Sequence, residues 1–319
     1  MGHYRLERLN QKLFSNILPE IGSKRHLIIV PDGLLYLLPF GILRNKDRDL
    51  IEQYTITYLT SSRDLFSQSL SKPQSQTPPV VIADPDYDLS RKRRSSHSGS
   101  LIQDTRYFYE NTAPFATLEG TRAEGRVIHQ IIGGELWLGK DALKTRFMEL
   151  TSPKILHIAT HGFFQQSHRT PREEWDSLLR SGLVLAGANS YISGQPLPTE
   201  AGNGIITAYE ISGLDLSSTD LVVLSACETG IGDIIFGEGV YGFRRAFAVS
   251  GAWTLVMSLW SIPDEETRDL MITFYSLLKS GKSKSEAMQE AQLELKKRHS
   301  HPYFWGAFIL QGDANPIQW

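Results

Sequence analysis

The sequence predicts an α/β sandwich with a largely parallel sheet. Short apolar runs alternate along the chain with longer segments whose apolar residues recur at helical spacing, which is typical of a parallel sheet covered by helices. Two of these runs, at residues 155–162 and 220–230, end in a reactive side chain followed by glycine or a turn. In such sheets the functional residues collect beyond the carboxyl ends of the strands. The fold class therefore indicates where a site should lie.

The N-terminal part of the chain is predicted to form an extension of one helix and short strands. Residues 4–18 carry apolar side chains at helical spacing, whereas residues 26–30 and 54–59 have the composition of strands. The stretch at residues 71–79, rich in Pro, Ser and Gln, is typical of a linker. The two predicted units are residues 1–77 and residues 78–319.

The second predicted unit alternates strands and helices regularly. Its strands include the runs that end at His161 and Cys227, and the others are predicted at residues 80–83, 135–138, 253–260 and 304–310. Its helices are predicted at residues 118–132, 140–150, 237–250, 264–280 and 283–298. The last helix has a clear start, because Ser283 and Glu286 have the spacing of a capping box. Residues 88–111 and 187–204 are predicted as loops.

The composition narrows the classes of protein that the chain can represent. With 33 basic and 35 acidic residues, nothing in the overall charge favours nucleic acid or an anionic membrane as a partner. One cysteine excludes an internal disulfide framework and favours a reducing compartment. The sequence shows neither a membrane-spanning run nor a signal-peptide core, so we expect a cytoplasmic protein. Because a helical pattern starts almost at the first residue, one expectation is that the chain continues from a larger parent protein.

The lone cysteine, Cys227, and the histidine at the end of the earlier run, His161, are the candidate catalytic residues. A single cysteine on an apolar strand is often only a small buried hydrophobe, and the turn-rich residues after Cys227 argue against that interpretation. His157 is a rival base, but four strand residues separate it from His161 by roughly 13 Å. We choose His161 because it ends the apolar run and precedes Gly162. His157 is predicted to be a buried, hydrogen-bonded core residue.

A thiol and an imidazole at one sheet edge are the components of an activated cysteine nucleophile. In such a pair the thiolate attacks a carbonyl carbon and the imidazole transfers the protons. The backbone N–H groups of Gly162 and Cys227 are candidates for the oxyanion hole. The residues thus indicate acyl transfer, for which we expect no metal and no cofactor.

The segments around both residues resemble the two signatures of the CHAT domain, a caspase-like peptidase domain often attached to tetratricopeptide repeats. The segments that carry the resemblance lie at residues 156–163 and 221–230, with further matches at 28–40, 237–240, 252–260, 274–275 and 301–308. They occur in the family's order and span the chain from about residue 26 to residue 313.

The resemblance implies a caspase–hemoglobinase-like three-layer α/β/α sandwich, as in caspases, gingipains and separase. By motif, His161 corresponds to the general base, Cys227 to the nucleophile and Gly162 to the oxyanion-hole position. It also implies a protein substrate and control by an attached or partner sensor region, such as tetratricopeptide repeats. Glu228 and Thr229 stand between the cysteine and Gly230, which departs from the caspase signature and puts aspartate specificity in doubt.

Substrate specificity is expected to depend on the loop after the 253–260 strand, which contains Ser258, Trp260 and Asp264. Asp264 is a candidate acid for binding a basic side chain, since separase has a similar aspartate after a similar strand. The competing interpretation is that Asp264 caps the helix that starts there, after Pro263. Trp260 is expected either to wall an apolar pocket or to pack in the core.

Three interpretations of the basic run at residues 91–94 stay open: a solvated loop, a self-processing site, or a nucleic-acid contact with a small footprint. For the whole chain the leading hypothesis is a cysteine endopeptidase that cleaves a protein partner. The alternatives are a catalytically inert interaction domain of the same fold and an amidase or acyl transferase that acts on small molecules.

Overall fold

A computed structural model of the chain describes residues 2–67, 73–90, 114–164, 175–225 and 238–319. Cys227, the basic run at 91–94 and most of the loop predicted at 88–111 lie outside these ranges. The described strands are β1 His26–Ile29, β2 Arg44–Asn45, β3 Arg48–Asp49, β4 Thr55–Tyr58, β5 Val80–Pro85, β6 Glu135–Gly139, β7 Ile155–Ala159, β8 Gly162–Phe164, β9 Ser181–Val184, β10 Ile205–Thr207, β11 Leu221–Leu224, β12 Thr254–Ser258 and β13 Phe308–Gly312.

The described α-helices are α1 Gly2–Phe14, α2 Leu18–Ile21, α3 Asp64–Ser67, α4 Glu119–Ile132, α5 Lys144–Met148, α6 Trp175–Arg180, α7 Ala188–Ile192, α8 Ala208–Ser212, α9 Glu238–Val249, α10 Asp264–Lys279, α11 Lys284–Arg298 and α12 Pro302–Trp305. Helix α11 begins at the predicted capping box, in which Ser283 and Glu286 bond reciprocally. Helix α5 is shorter than the helix predicted at residues 140–150. Helix α7 lies within the segment predicted as a loop at residues 187–204, and β10 lies just after that segment.

Eight of the described strands form one sheet, in the order β1-β4-β13-β12-β11-β7-β5-β6. Neighbouring strands are parallel in this sheet, except that β12 and β13 are antiparallel. Strands β7, β11 and β12 are buried on both faces, which explains their continuous apolar sequences. The predicted α/β class with a largely parallel sheet is confirmed.

Helices cover both faces of this sheet, so the molecule has three layers. One face packs on α10, α11 and the apolar residues of α4, around Phe274 and Tyr275. The other face packs on α9, α8 and the N-terminal segment, around Phe247 and Phe147. Along β7 the side chains alternate between the two cores, with Ile155 in the first and Leu156 in the second.

The N-terminal strands belong to the same sheet as the strands that lead to the candidate site. Strand β4 pairs with β13 through Tyr58 and Gln311, and Phe14 and Phe40 lie in the same core as Leu156. The division at residue 77 stays a prediction. A second, antiparallel sheet of β8, β9 and β10 stands beyond the end of β7, and it frames the candidate site.

Candidate active site

Strands β7 and β11 are parallel neighbours, so they carry their carboxyl ends to the same edge of the sheet. In their register Leu224 pairs with Ile158, and the Ser225 N–H donates to the Ile158 carbonyl at 2.9 Å. In the sequence, His161 comes three residues after Ile158, and Cys227 comes three residues after Leu224. Cys227 itself lies outside the described residues. The pairing that leads toward it is described as far as Ser225.

The His161 imidazole packs beside two aromatic rings at this edge, and these rings also contact each other. Its side chain is buried, with the residue only 2% exposed, and its ring centroid lies 5.3 Å from that of Tyr87 and 5.6 Å from that of Phe115. Its Nε2 lies 2.6 Å from the carbonyl oxygen of Ala116. A carbonyl only accepts, so Nε2 carries the hydrogen and donates it. In the neutral ring Nδ1 is then the nitrogen that can take up a proton.

Gly162 begins β8 and is buried beside β9. The Val184 N–H donates to the His161 carbonyl at 2.9 Å, which makes these two residues a hydrogen-bonded pair. Hydrogen-bonded and non-bonded pairs alternate along antiparallel strands. Gly162, which pairs with Leu183, therefore directs its N–H away from β9. This direction is compatible with a role as an oxyanion donor.

His157 is a core residue, as the sequence predicted. It is fully buried, its Nδ1 lies 3.1 Å from the Tyr275 hydroxyl, and its Nε2 lies 3.1 Å from Oε1 of Glu124. Burial, together with the negative charge of Glu124, raises the pKa of Tyr275 well above its usual value. The rings of His157 and His161 have different neighbours. Strand β7 ends at Ala159, before His161.

The three predicted specificity residues lie on and just after β12. The Ser258 hydroxyl donates to the Trp260 carbonyl, and the Trp260 indole N–H donates to the Tyr303 carbonyl at 2.8 Å. Trp260 is partly buried and packs against both main cores. Its hydrogen-bonded indole fits the core-packing interpretation, and its role as the wall of a pocket stays a prediction.

Asp264 is the first residue of α10, and its side chain does not cap that helix. The capping position belongs to Pro263, and no side-chain capping bond forms there. The Asp264 side chain instead packs against the start of α4, where a methyl group added to Gly120 would lie 2.5 Å from the Asp264 Cβ.

One small cavity joins Asp264 to the strand that leads to Cys227. It is lined by Asp264, the buried Glu124 and the buried Ser225, together with Leu118, Thr121, Ser261, Ile262 and Thr267. Neither Glu124 nor Ser225 is among the residues predicted from the sequence. Glu124 is one polar position among several on a predicted helix, and nothing in its spacing distinguishes it. Ser225 stands two residues before Cys227 in the sequence, and this closeness to the candidate nucleophile is the one feature that could have identified it.

Among the described residues, no group of three or more His, Cys, Asp or Glu side chains is placed to hold a metal ion. None of the helices described is both long enough and apolar enough to cross a bilayer.

Comparison with known proteins gives a family match over most of the chain. The family model described as the CHAT domain matches residues 4–313. Tetratricopeptide repeat protein 28 of Homo sapiens is 27% identical over 311 residues, and that of Mus musculus is 26% identical over 313 residues. Each match covers 92% of this chain and 12% of the relative, so the chain spans about an eighth of the length of these relatives.

Solved structures with a similar fold include two kinds of protein. A Saccharomyces cerevisiae separase–securin complex matches with 11% identity and a TM-score of 0.49, over 92% of this chain and 16% of the other. The Arg-specific cysteine proteinase gingipain R matches with 7% identity and a TM-score of 0.49, over 99% of this chain and 67% of the other.

Proposed function

Because the chain belongs to the CHAT domain family, we propose that it is a cysteine endopeptidase that cleaves a protein partner through His161 and Cys227. The observation that carries the proposal is the register of β7 and β11. Both residues follow the Ile158–Leu224 pair by three positions in the sequence, and that pair joins adjacent parallel strands, which lie about 4.8 Å apart. The proposal places the Cys227 thiol within reach of the imidazole.

The proposed reaction uses the tautomer that Ala116 imposes on His161. Nδ1 takes the proton of the Cys227 thiol, and the thiolate attacks the substrate carbonyl carbon. The N–H groups of Gly162 and Cys227 stabilise the oxyanion that forms. When the C–N bond breaks, the imidazolium gives its proton to the leaving amine, and a thioester remains. His161 then takes a proton from water, the resulting hydroxide attacks the thioester, and the acid product leaves as the thiol is regenerated.

The bond from Nε2 to the Ala116 carbonyl has a second role in this proposal. It orients the ring, and it stabilises the imidazolium that forms after the first proton transfer. The rings of Tyr87 and Phe115 pack beside the imidazole and shield part of it from water.

The cavity beside β11 supports a preference for a basic residue before the cleaved bond. The carboxylates of Asp264 and Glu124 line it, and Ser225 connects it to the strand of the nucleophile. An ammonium or guanidinium group entering this cavity would meet two acids, and bonds of this kind are the stronger class of hydrogen bond. Ser258 and Trp260 are proposed to border the same substrate path.

We further propose that tetratricopeptide repeats, in the same polypeptide or in a partner, regulate this activity. The name of the relatives supports this, and the chain covers only 12% of their length. A free thiol stays reduced most readily in the cytosol, so the proposed location is the cytoplasm.

The dyad is tested with a peptide library whose cleavage is mapped by mass spectrometry. Cys227→Ala and His161→Ala should each lower cleavage about a thousand-fold or more. His129→Ala is the matched control, since this half-buried histidine lies on α4 and bonds the Gly134 carbonyl. If either dyad variant kept full activity, the assignment would be wrong. If the wild-type protein and the Cys227→Ala protein gave identical peptide maps, the inert interaction domain would be favoured instead.

Specificity is tested separately by Asp264→Asn, with Glu265→Gln as the control. Glu265 is the neighbouring carboxylate, and its side chain is 80% exposed. Asp264→Asn should lower kcat/KM for substrates with Arg or Lys before the cut about ten-fold or more, because losing one charge-assisted bond costs about 1.5 to 3 kcal/mol. Substrates with an apolar residue at that position should be cleaved as before. An equal loss on both substrates would refute the role of Asp264.

A further inference from the structure

We propose that Asn189 is the positioning residue for His161. Its amide and its backbone connect the two chain segments that contact the imidazole. The proposal rests on the proposed function in one respect, since it takes His161 as the catalytic base. The placement of the ring itself can be measured without any cleavage assay.

The first connection is to the segment that accepts the His161 hydrogen. Asn189 lies on the short helix α7 and is 8% exposed. Its Oδ1 accepts the Phe115 N–H at 2.9 Å, and its Nδ2 donates to the Phe115 carbonyl at 3.0 Å. The amide thus binds both backbone groups of one residue, as a neighbouring strand would. The next residue, Ala116, supplies the carbonyl that binds Nε2 of His161.

The second connection is to the segment that contains Tyr87, the other aromatic neighbour of the imidazole. The Asn189 backbone N–H donates to the Tyr87 carbonyl at 2.9 Å, and Nδ2 also donates to Oδ1 of Asp88 at 3.0 Å. The Tyr87 hydroxyl lies 2.9 Å from that of Thr160, the residue before His161. One asparagine therefore holds both aromatic neighbours of the imidazole.

The local structure explains why a side chain is needed here. Residues 114–118 are neither helical nor in a strand, so no backbone ladder orders the carbonyl of Ala116. An asparagine amide provides two N–H donors and an acceptor, and all three are used in these contacts. An aspartate of nearly the same shape would keep the acceptor but lose both donors. It would also place a carboxylate against the Phe115 carbonyl and the Asp88 carboxylate.

Loss of these bonds should move the Ala116 carbonyl and release the tautomer of His161. A shift of about 1 Å in a catalytic group costs on the order of a hundred-fold in rate. We therefore expect Asn189→Asp and Asn189→Ala to lower kcat about 10- to 100-fold with little change in KM. Asn203→Asp is the matched control, since this half-buried asparagine bonds Lys144 and the Ile205 N–H instead.

The deciding experiment is nitrogen NMR of the full chain labelled with ¹⁵N-histidine, with the His161 signals assigned by their loss in His161→Gln. The wild-type protein should show the neutral ring with hydrogen on Nε2, and both Asn189 variants should shift toward a mixture of tautomers. A wild-type signal with hydrogen on Nδ1 overturns the inference at once, whether or not the variants fold. An unchanged tautomer in a folded Asn189 variant also overturns it. If the protein cleaved nothing, the proposed function would fail while the tautomer measurement still decided the role of Asn189.

Discussion

Lys284 forms a buried ion pair with a carboxylate at the start of the strand that leads to Cys227, and replacing it should lower the free energy of unfolding by several kcal/mol. It lies at the start of α11 with its side chain fully buried. Its Nζ is 3.0 Å from Oδ1 of Asp220 and 2.8 Å from Oδ2 of Asp313. Asp220 directly precedes β11, and Asp313 directly follows β13. One cation thus joins two strands at the end of the sheet opposite the candidate site.

The Lys284→Met variant keeps most of the side-chain volume and removes the charge. The Asp313 side chain is 1% exposed and would be left without its cation. Removing one partner of a buried ion pair costs about 3 to 5 kcal/mol, because the other charge stays desolvated. For a domain of this size, each kcal/mol lost from the free energy of unfolding lowers the melting temperature by about 2 °C. The melting temperature should therefore fall by about 6 to 10 °C.

The matched control is Lys282→Met, two residues earlier in the chain. Lys282 pairs with Glu290, and both side chains are roughly 40% exposed. Exposed pairs are worth at most about 1 kcal/mol, so this variant should melt within about 2 °C of the wild type. The Lys284→Met/Asp313→Asn double variant should regain part of the loss. Urea titration and calorimetry measure each value. An equal, small loss for both lysine variants would refute the assignment.

Three further predictions concern other parts of the fold. Arg244 is buried, and burial lowers the pKa of its guanidinium to about 10. Arg244→Ala should lower the free energy of unfolding by about 3 kcal/mol in urea titration. A loss below about 1 kcal/mol would contradict this. Gly120→Ala should lower the melting temperature despite the better helix propensity of alanine, because its methyl group would overlap Asp264, and a stabilised variant would disprove that contact. Burial lowers the pKa of His26 below its usual 6.5, and the charge of Glu286 opposes this shift. The unfolded chain therefore binds more protons than the folded protein, and the free energy of unfolding decreases as pH falls through 6.5. His26→Asn should flatten that dependence between about pH 7.5 and 5.5, as followed by thermal melts, and an unchanged slope would contradict it.

The sequence predicted best those elements whose cause is local. Strands β7, β11 and β12 are continuous apolar runs because both of their faces are buried, and a run of that kind is visible without a structure. Helix α11 begins where Ser283 and Glu286 predicted it, since a capping box involves residues only three positions apart.

The features that escaped prediction depend on contacts between distant residues. His157 was correctly predicted as buried, but its partners Glu124 and Tyr275 come from two helices that are far apart in the chain. Asp264 was weighed as a helix cap, and the structure gives that position to Pro263, because packing against α4 directs the carboxylate elsewhere. Asn189 lies in a segment predicted as a loop. Its importance comes from the two segments that it joins, and neither is adjacent to it in sequence.

The N-terminal strands β1 and β4 matter to the site because they extend the sheet on which it is built. Strand β13 is antiparallel to β12, and β4 covers its other edge, so without β4 a buried strand would expose unpaired backbone groups. Arg244 adds a second connection. It lies on α9, stacks 4.5 Å from the Tyr36 ring and donates to the Tyr36 carbonyl at 3.1 Å. The family match begins at residue 4, and these contacts give a physical reason why residues before 77 belong to the same module as the candidate dyad.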